Sequence, residues 1–133
     1  MAEQAALDAR FAPAPDAARL WAATLREAFE TGWPVVFVAE GTGDVAGFVV
    51  LEDAATAPVY ADVPALHVGE LYVAPGHRRA GVARALLDAA VDEAARVGAR
   101  TLRFEVAAAN AASHALVAAW GARPLATSYT RDV

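Results

Sequence analysis

A single domain of the α/β class, with strands and helices interleaved, is what these 133 residues predict. Three stretches carry that prediction. Glu70 to Leu87 reads strand, sharp turn, helix. Leu71, Tyr72 and Val73 suit a half-buried pleated surface, Pro75 and Gly76 break the strand, and Val82, Leu86, Ala89 and Ala90 then fall at helical spacing. Thr101 to Val106 alternates strictly, with Leu102, Phe104 and Val106 to one side and Thr101, Arg103 and Glu105 to the other. Leu20, Trp21, Leu25, Ala28 and Phe29 form a helical stripe that Gly32 stops.

The other elements follow in order. Leu7, Ala9 and Phe11 alternate with Asp8 and Arg10, a first short strand ended by Pro13 and Pro15. Asp16 is placed to cap the helix that carries the Leu20–Phe29 stripe. Pro34 to Glu40 and Val45 to Glu52 read as paired core strands, and Gly41-Thr42-Gly43-Asp44 between them is hairpin chemistry. Asp53 to Pro64 has the look of a loop, with Pro58 and Pro64 as breakers. Ala65 to Val73 is the strand before the sharp turn, and the helix after it runs to Val97, closed by Gly98. Arg84 with Asp88, and Asp92 with Arg96, stand at i,i+4 spacing on its exposed face, worth roughly a few tenths of a kcal/mol each. Asn110 caps a further helix to Trp120, Gly121 ends it, and Leu125 to Arg131 forms a final strand.

The totals exclude several classes. A net charge of −5 argues against a nucleic-acid surface, which needs a basic face, and agrees with a cationic partner such as an amine. With no cysteine there is no disulfide, no thiolate metal site and no acyl-cysteine intermediate, and no metal is expected. Met1 to Arg10 lacks a basic start followed by an apolar core, so no signal peptide is visible. No apolar run approaches the ~20 residues of a membrane span. A soluble cytoplasmic protein is the expectation.

The sharp turn holds Arg78, Arg79, Gly81 and Ala83 just where a helix begins. A helix start offers free amides and the positive end of its dipole to an anion. Small residues at Gly81 and Ala83 let a phosphate approach the backbone, and the two arginines add charge and forked donors. The physical reading is a pyrophosphate cradle. The Gly-Lys-Ser/Thr ending of a Walker loop and the Gly-x-Gly-x-x-Gly of a dinucleotide loop are both absent.

Arg78-Arg79-Ala80-Gly81-Val82-Ala83 also resembles the acetyl-CoA-binding loop, Gln/Arg-x-x-Gly-x-Gly/Ala, of the GNAT-type N-acetyltransferases. The likeness extends upstream through Leu71-Tyr72-Val73-x-Pro75 and downstream through Leu86-Leu87. It implies the GNAT acyl-CoA N-acyltransferase fold over residues 1–133: a mixed, mostly antiparallel sheet of six to seven strands flanked by helices. It implies acetyl-CoA as cofactor, held by Leu71, Tyr72, Val73, the loop from Arg78 to Ala83, and Asn110 and Ser113 in the later helix. The strands ending at Val73 and Val106 are expected to splay, with the pantetheine arm in the gap and the Val73 amide donating to the oxyanion.

The implied reaction is acetyl transfer to a primary amine, of a small molecule or a protein, by direct attack in a ternary complex. The amine must lose its proton first, since an alkyl ammonium has pKa ~10.4. Glu70 is the expected base and His67 its rival, although regular strand alternation puts the two on opposite faces unless a bulge intervenes. Asp53, Tyr60 and Asp62, in the loop that borders the acceptor pocket in the family, are candidates to hold a cation, and Tyr60, Asp62 and Glu70 are the expected acceptor contacts. Two departures from the family stand out. Only one helix fits between the first two strands, where members usually have two. Val117 occupies the position of the tyrosine that protonates the leaving sulfur; His114, or Ser113, Trp120 or Tyr129, is the substitute acid. His77 is expected to face solvent beside the phosphates. These departures favour an alternative from another class, a GNAT-fold module that binds acetyl-CoA or CoA as a sensor or partner subunit without turnover. The resemblance and the apolar terminal strand admit a homodimer.

Overall fold

The computed structural model describes residues 15–54 and 63–131. The chain divides into two compact units, one over Pro13–Glu105 and a second that takes up the chain at Val106. The expected first strand, Leu7 to Phe11, lies outside the described residues.

The first unit opens with α1 (Ala17–Thr31), which ends at Gly32 as expected. Asp16 occupies the N-cap position, but its carboxylate binds Arg19 at 2.7 Å and caps nothing. The inward line of α1 is Trp21, Thr24, Leu25 and Ala28; Leu20 and Phe29, expected in the stripe, are 49% and 76% exposed. The narrower line has the i, i+3, i+4, i+7 spacing of a single contact seam, and the two large residues fall to either side of it.

A meander follows: β1 (Val35–Glu40), β2 (Val45–Asp53) and β3 (Ala65–Val73) pair antiparallel in sequence order. A short 3₁₀ turn, η1 (Pro75–His77), leads to α2 (Val82–Arg96), which crosses over to β4 (Thr101–Arg103). β4 lies parallel to β3, so the order is β1-β2-β3-β4. The helical crossover is what a parallel neighbour requires. Four strands therefore stand among the described residues, within a mixed α/β fold. On α2, Arg96 pairs with the buried Glu93 and not with the expected Asp92, the Nε–Oε2 distance being 2.8 Å.

The core lies between α2 and one face of the sheet. Val49 and Leu51 of β2, Leu66 and Val68 of β3, and Leu86, Ala90 and Ala94 of α2 form one buried cluster, with Leu71, Leu102 and Phe104 packed against it. On the opposite sheet face the Trp21 ring of α1 meets Phe48 edge-on at 6.4 Å, and Phe48 lies 5.7 Å from Tyr72.

The second unit holds α3 (Ala111–Ala119). Asn110 caps it as expected, its side chain accepting from the Ser113 N–H at 3.1 Å. The expected strand from Leu125 to Arg131 is absent: residues 122–131 have no regular structure, with Leu125 72% and Tyr129 92% exposed. A strand is held by a neighbour's ladder, which apolar alternation does not by itself supply.

Candidate active site

The turn between β3 and α2 has the form the sequence implied. Gly81 sits at the N-cap of α2 with φ 81°, and no side chain caps the helix. A Cβ built on Gly81 meets nothing within 4 Å, so the space over the first turn is open, but a side chain there would be strained and would fill it. The first-turn amides of α2, beginning at Val82 and Ala83, thus face an open cradle with no protein acceptor of the capping kind. Arg78 and Arg79 are exposed beside it, and Ala80 separates them from Gly81. The Nε of Arg78 donates to the Val73 carbonyl at 3.1 Å, which ties the arginine to the end of β3. The residues present fit a diphosphate.

The cradle continues into a strand edge. β4 pairs with β3 only over Ala65–Thr101, Leu66–Leu102 and His67–Arg103, while β3 runs on to Val73. Six residues of β3 therefore extend past their last β4 partner. On its other side, the Ala74 N–H donates to the Ala46 carbonyl at 2.8 Å. Antiparallel bonding alternates, so Val73 and Leu71, opposite Gly47 and Val49, turn their N–H and C=O groups away from β2 and toward the edge that β4 leaves. Tyr72, between them, bonds toward β2 and lays its ring on Phe48.

A bulge decides which side chains share a face. Val50 opposes Glu70 and Leu51 opposes Val68, which leaves Gly69 as an extra residue in β3. The bulge resets the alternation. His67, opposite Glu52, and Glu70, opposite Val50, now point to the same side, away from α2. Arg103, in register with His67, joins them from β4. Glu52 Oε2 lies 3.9 Å from His67 Nδ1, and a Cβ on Gly69 would fall 2.8 Å from the Glu52 carboxyl carbon, so that carboxylate rests directly over the bulge. Half-burial pushes the Glu70 carboxyl above its ordinary range, and the negative charge of Glu52 pushes it the same way.

Five of the expected contributors are not among the groups just described. Asn110, Ser113 and His114 belong to the second unit; there the His114 Nε2–H donates to the Ala107 carbonyl at 3.1 Å, and Val117 is half-buried on the same helix. Tyr60 and Asp62 lie outside the described residues. His77 does not simply face solvent. Its Nε2 lies 2.9 Å from Asp44 Oδ2 in the β1–β2 hairpin. Glu52 was not singled out by the sequence reading. Its signal was the parity Phe48, Val50, Glu52 along β2, and the mid-strand Gly69 that marks a bulge. Among the described residues no group of His, Asp and Glu is arranged to hold a metal ion. No helix among them is long and apolar enough to cross a membrane.

Comparison with known proteins bears on the family and the fold. The profile of the acetyltransferase (GNAT) family matches residues 4–122. No curated protein sequence matches the chain. Among solved structures, AAC(6')-Iy bound to the bisubstrate analogue CoA-S-monomethyl-acetylneamine has a TM-score of 0.74 at 20% identity, over 98% of this chain and 86% of that one. The same aminoglycoside N-acetyltransferase in complex with CoA has a TM-score of 0.66 at 18% identity, over 86% and 92%. A ribosomal-protein-alanine N-acetyltransferase from Brucella melitensis has a TM-score of 0.60 at 26% identity, over 74% and 68%.

Proposed function

The chain belongs to the GNAT family of acetyltransferases, and from that premise we propose that it transfers an acetyl group from acetyl-CoA to a primary amine by direct attack in a ternary complex. The observation that carries the proposal is continuity: the β3 edge released by β4 runs straight into an uncapped helix start flanked by two arginines. A long ligand with a thioester at one end and a diphosphate near the other matches that sequence of groups. Solved relatives by fold carry CoA or a CoA-based analogue, which supports the cofactor.

In this reading the α2 amides from Gly81 to Ala83, with Arg78 and Arg79, hold the diphosphate. Acetyl-CoA supplies an activated carbonyl whose leaving thiol, near pKa ~8.5, departs tolerably well unaided. The edge-facing N–H of Val73 is the donor for charge developing on the carbonyl oxygen. Glu70 takes the proton from the incoming ammonium, directly or through a water. Its raised affinity for protons makes it a better base than an ordinary glutamate. His67 shares its face and is the second candidate for the same task. Asn110 and Ser113 contribute from α3 to the cofactor, and His114 is the proposed acid toward the sulfur in place of the tyrosine missing at Val117. Tyr60, Asp62 and Glu70 are the proposed acceptor contacts. The acceptor is a small-molecule or protein amine, the protein works in the cytoplasm as one domain, and a homodimer is its proposed assembly.

Val117 favours a second reading, a module that binds CoA without turnover. Release of free CoA from acetyl-CoA across a panel of amines, peptides and aminoglycosides separates the two. Amine-dependent release is expected, and Gly81→Glu, which places a bulky anion in the cradle, is expected to abolish it together with CoA binding. Tight CoA binding with no release on any amine would establish the module instead. Unchanged CoA affinity in Gly81→Glu would remove the cradle.

A further inference from the structure

The turn that joins β3 to α2 is held from outside itself. The ring of His77 leaves η1 to reach the β1–β2 hairpin, where its Nε2–H donates to Asp44 Oδ2 at 2.9 Å. The bond is partly shielded, the two side chains being 29% and 58% exposed. The hairpin is shaped to receive the ring. The Gly41 N–H donates to the Asp44 carbonyl at 2.8 Å, and a Cβ on Gly41 would lie 2.6 Å from His77 Cε1, so a larger residue would displace the imidazole. Just past His77, Arg78 is tied to the Val73 carbonyl. Arg79 then adopts φ 60°, a left-handed conformation that is unfavourable for a non-glycine residue. Such strain persists only where the surroundings over-determine the backbone.

We propose that Asp44 and His77 are a positioning pair for cofactor binding: the hairpin clamps the start of the β3–α2 turn and so holds Arg78, Arg79 and the α2 amides in the arrangement that takes a diphosphate. Neither residue acts as a ligand. The clamp removes conformational freedom before the cofactor arrives, which tightens binding without a new contact. The inference rests on the cofactor reading above.

Calorimetric titration of the full chain with CoA tests it, comparing the parent with Asp44→Ala, His77→Ala, the double variant and Asp44→Asn. Each alanine variant is expected to weaken CoA binding about 3–10-fold, the worth of one hydrogen bond. The double variant is expected to be no weaker than the worse single one. Asp44→Asn, whose amide oxygen still accepts from the imidazole, is expected to keep most of the affinity. Melting temperatures stay within a few degrees, since neither side chain belongs to the buried core. Parental affinity in the alanine variants, or losses that add in the double variant, would overturn the pair. A parent that binds no CoA would overturn the cofactor reading and the pair with it, whereas failure of the pair alone leaves parental binding intact.

Discussion

Glu70 is harder to ionise in the folded chain than in the unfolded one, because partial burial strips water from its carboxyl and Glu52 adds a like charge nearby. The folded state therefore holds its proton to higher pH, and the contribution of this residue to stability falls as pH rises upward from its ordinary 4.5. Glu70→Gln removes that dependence. Its melting temperature is expected to match or exceed the parent's at neutral pH while kcat drops on the order of 10²-fold, the scale of a lost general base. A Glu70→Gln protein with full turnover on its true amine would eliminate the residue from the mechanism. Glu52 acts on Glu70 through charge. In Glu52→Gln the Glu70 carboxyl ionises more easily, so the acid limb of the kcat/KM profile is expected to move to lower pH. An unmoved limb would show that Glu52 does not influence the base.

Two elements, β3 and α2, build the proposed site between them. The bulge at Gly69 brings His67 and Glu70 to one face, and the early end of β4 leaves the far half of β3 open on its edge. The helix can present a rigid, uncapped start only because its inward side is anchored. Leu86, one turn in, is 3% exposed in the cluster with Val49, Leu51, Leu66 and Val68. Leu86→Ala is expected to destabilise the protein by about 2–5 kcal/mol, read as a lower denaturant midpoint at unchanged slope. A cost below about 1 kcal/mol would mean that the helix does not depend on this contact.

For the chain taken entire, binding and stability are linked. A ligand that binds only the native state stabilises it by about 2.7 kcal/mol at a hundredfold excess over its Kd. CoA at that level is expected to raise the melting temperature by roughly 5–15 °C, and Gly81→Glu to lose the shift. A melting curve indifferent to CoA would refute the cofactor. The net charge is −5, while Arg78 and Arg79 bring two positive charges to the cradle. The same acidity suits an acceptor that arrives as an ammonium.

What the sequence by itself determined is local in origin. The bounds of β3, the turn at Pro75-Gly76, the start of α2 and the Asn110 cap were legible because proline, glycine, an amide cap and hydrophobic period act within a few residues. The motif that resembles the family lies in the same turn, and the family profile matches residues 4–122. Other features depended on partners far along the chain. One additional ladder residue at Gly69 reversed the expected opposition of His67 and Glu70, and the β2 register set Glu52 beside them. Arg96 chose Glu93, and His77 chose Asp44. Leu125 and Tyr129 lie exposed in a segment without regular structure. Alternation and turn chemistry are written in neighbours, but strand register and the far ends of long side chains are settled only when distant segments meet, and there the tertiary structure decided.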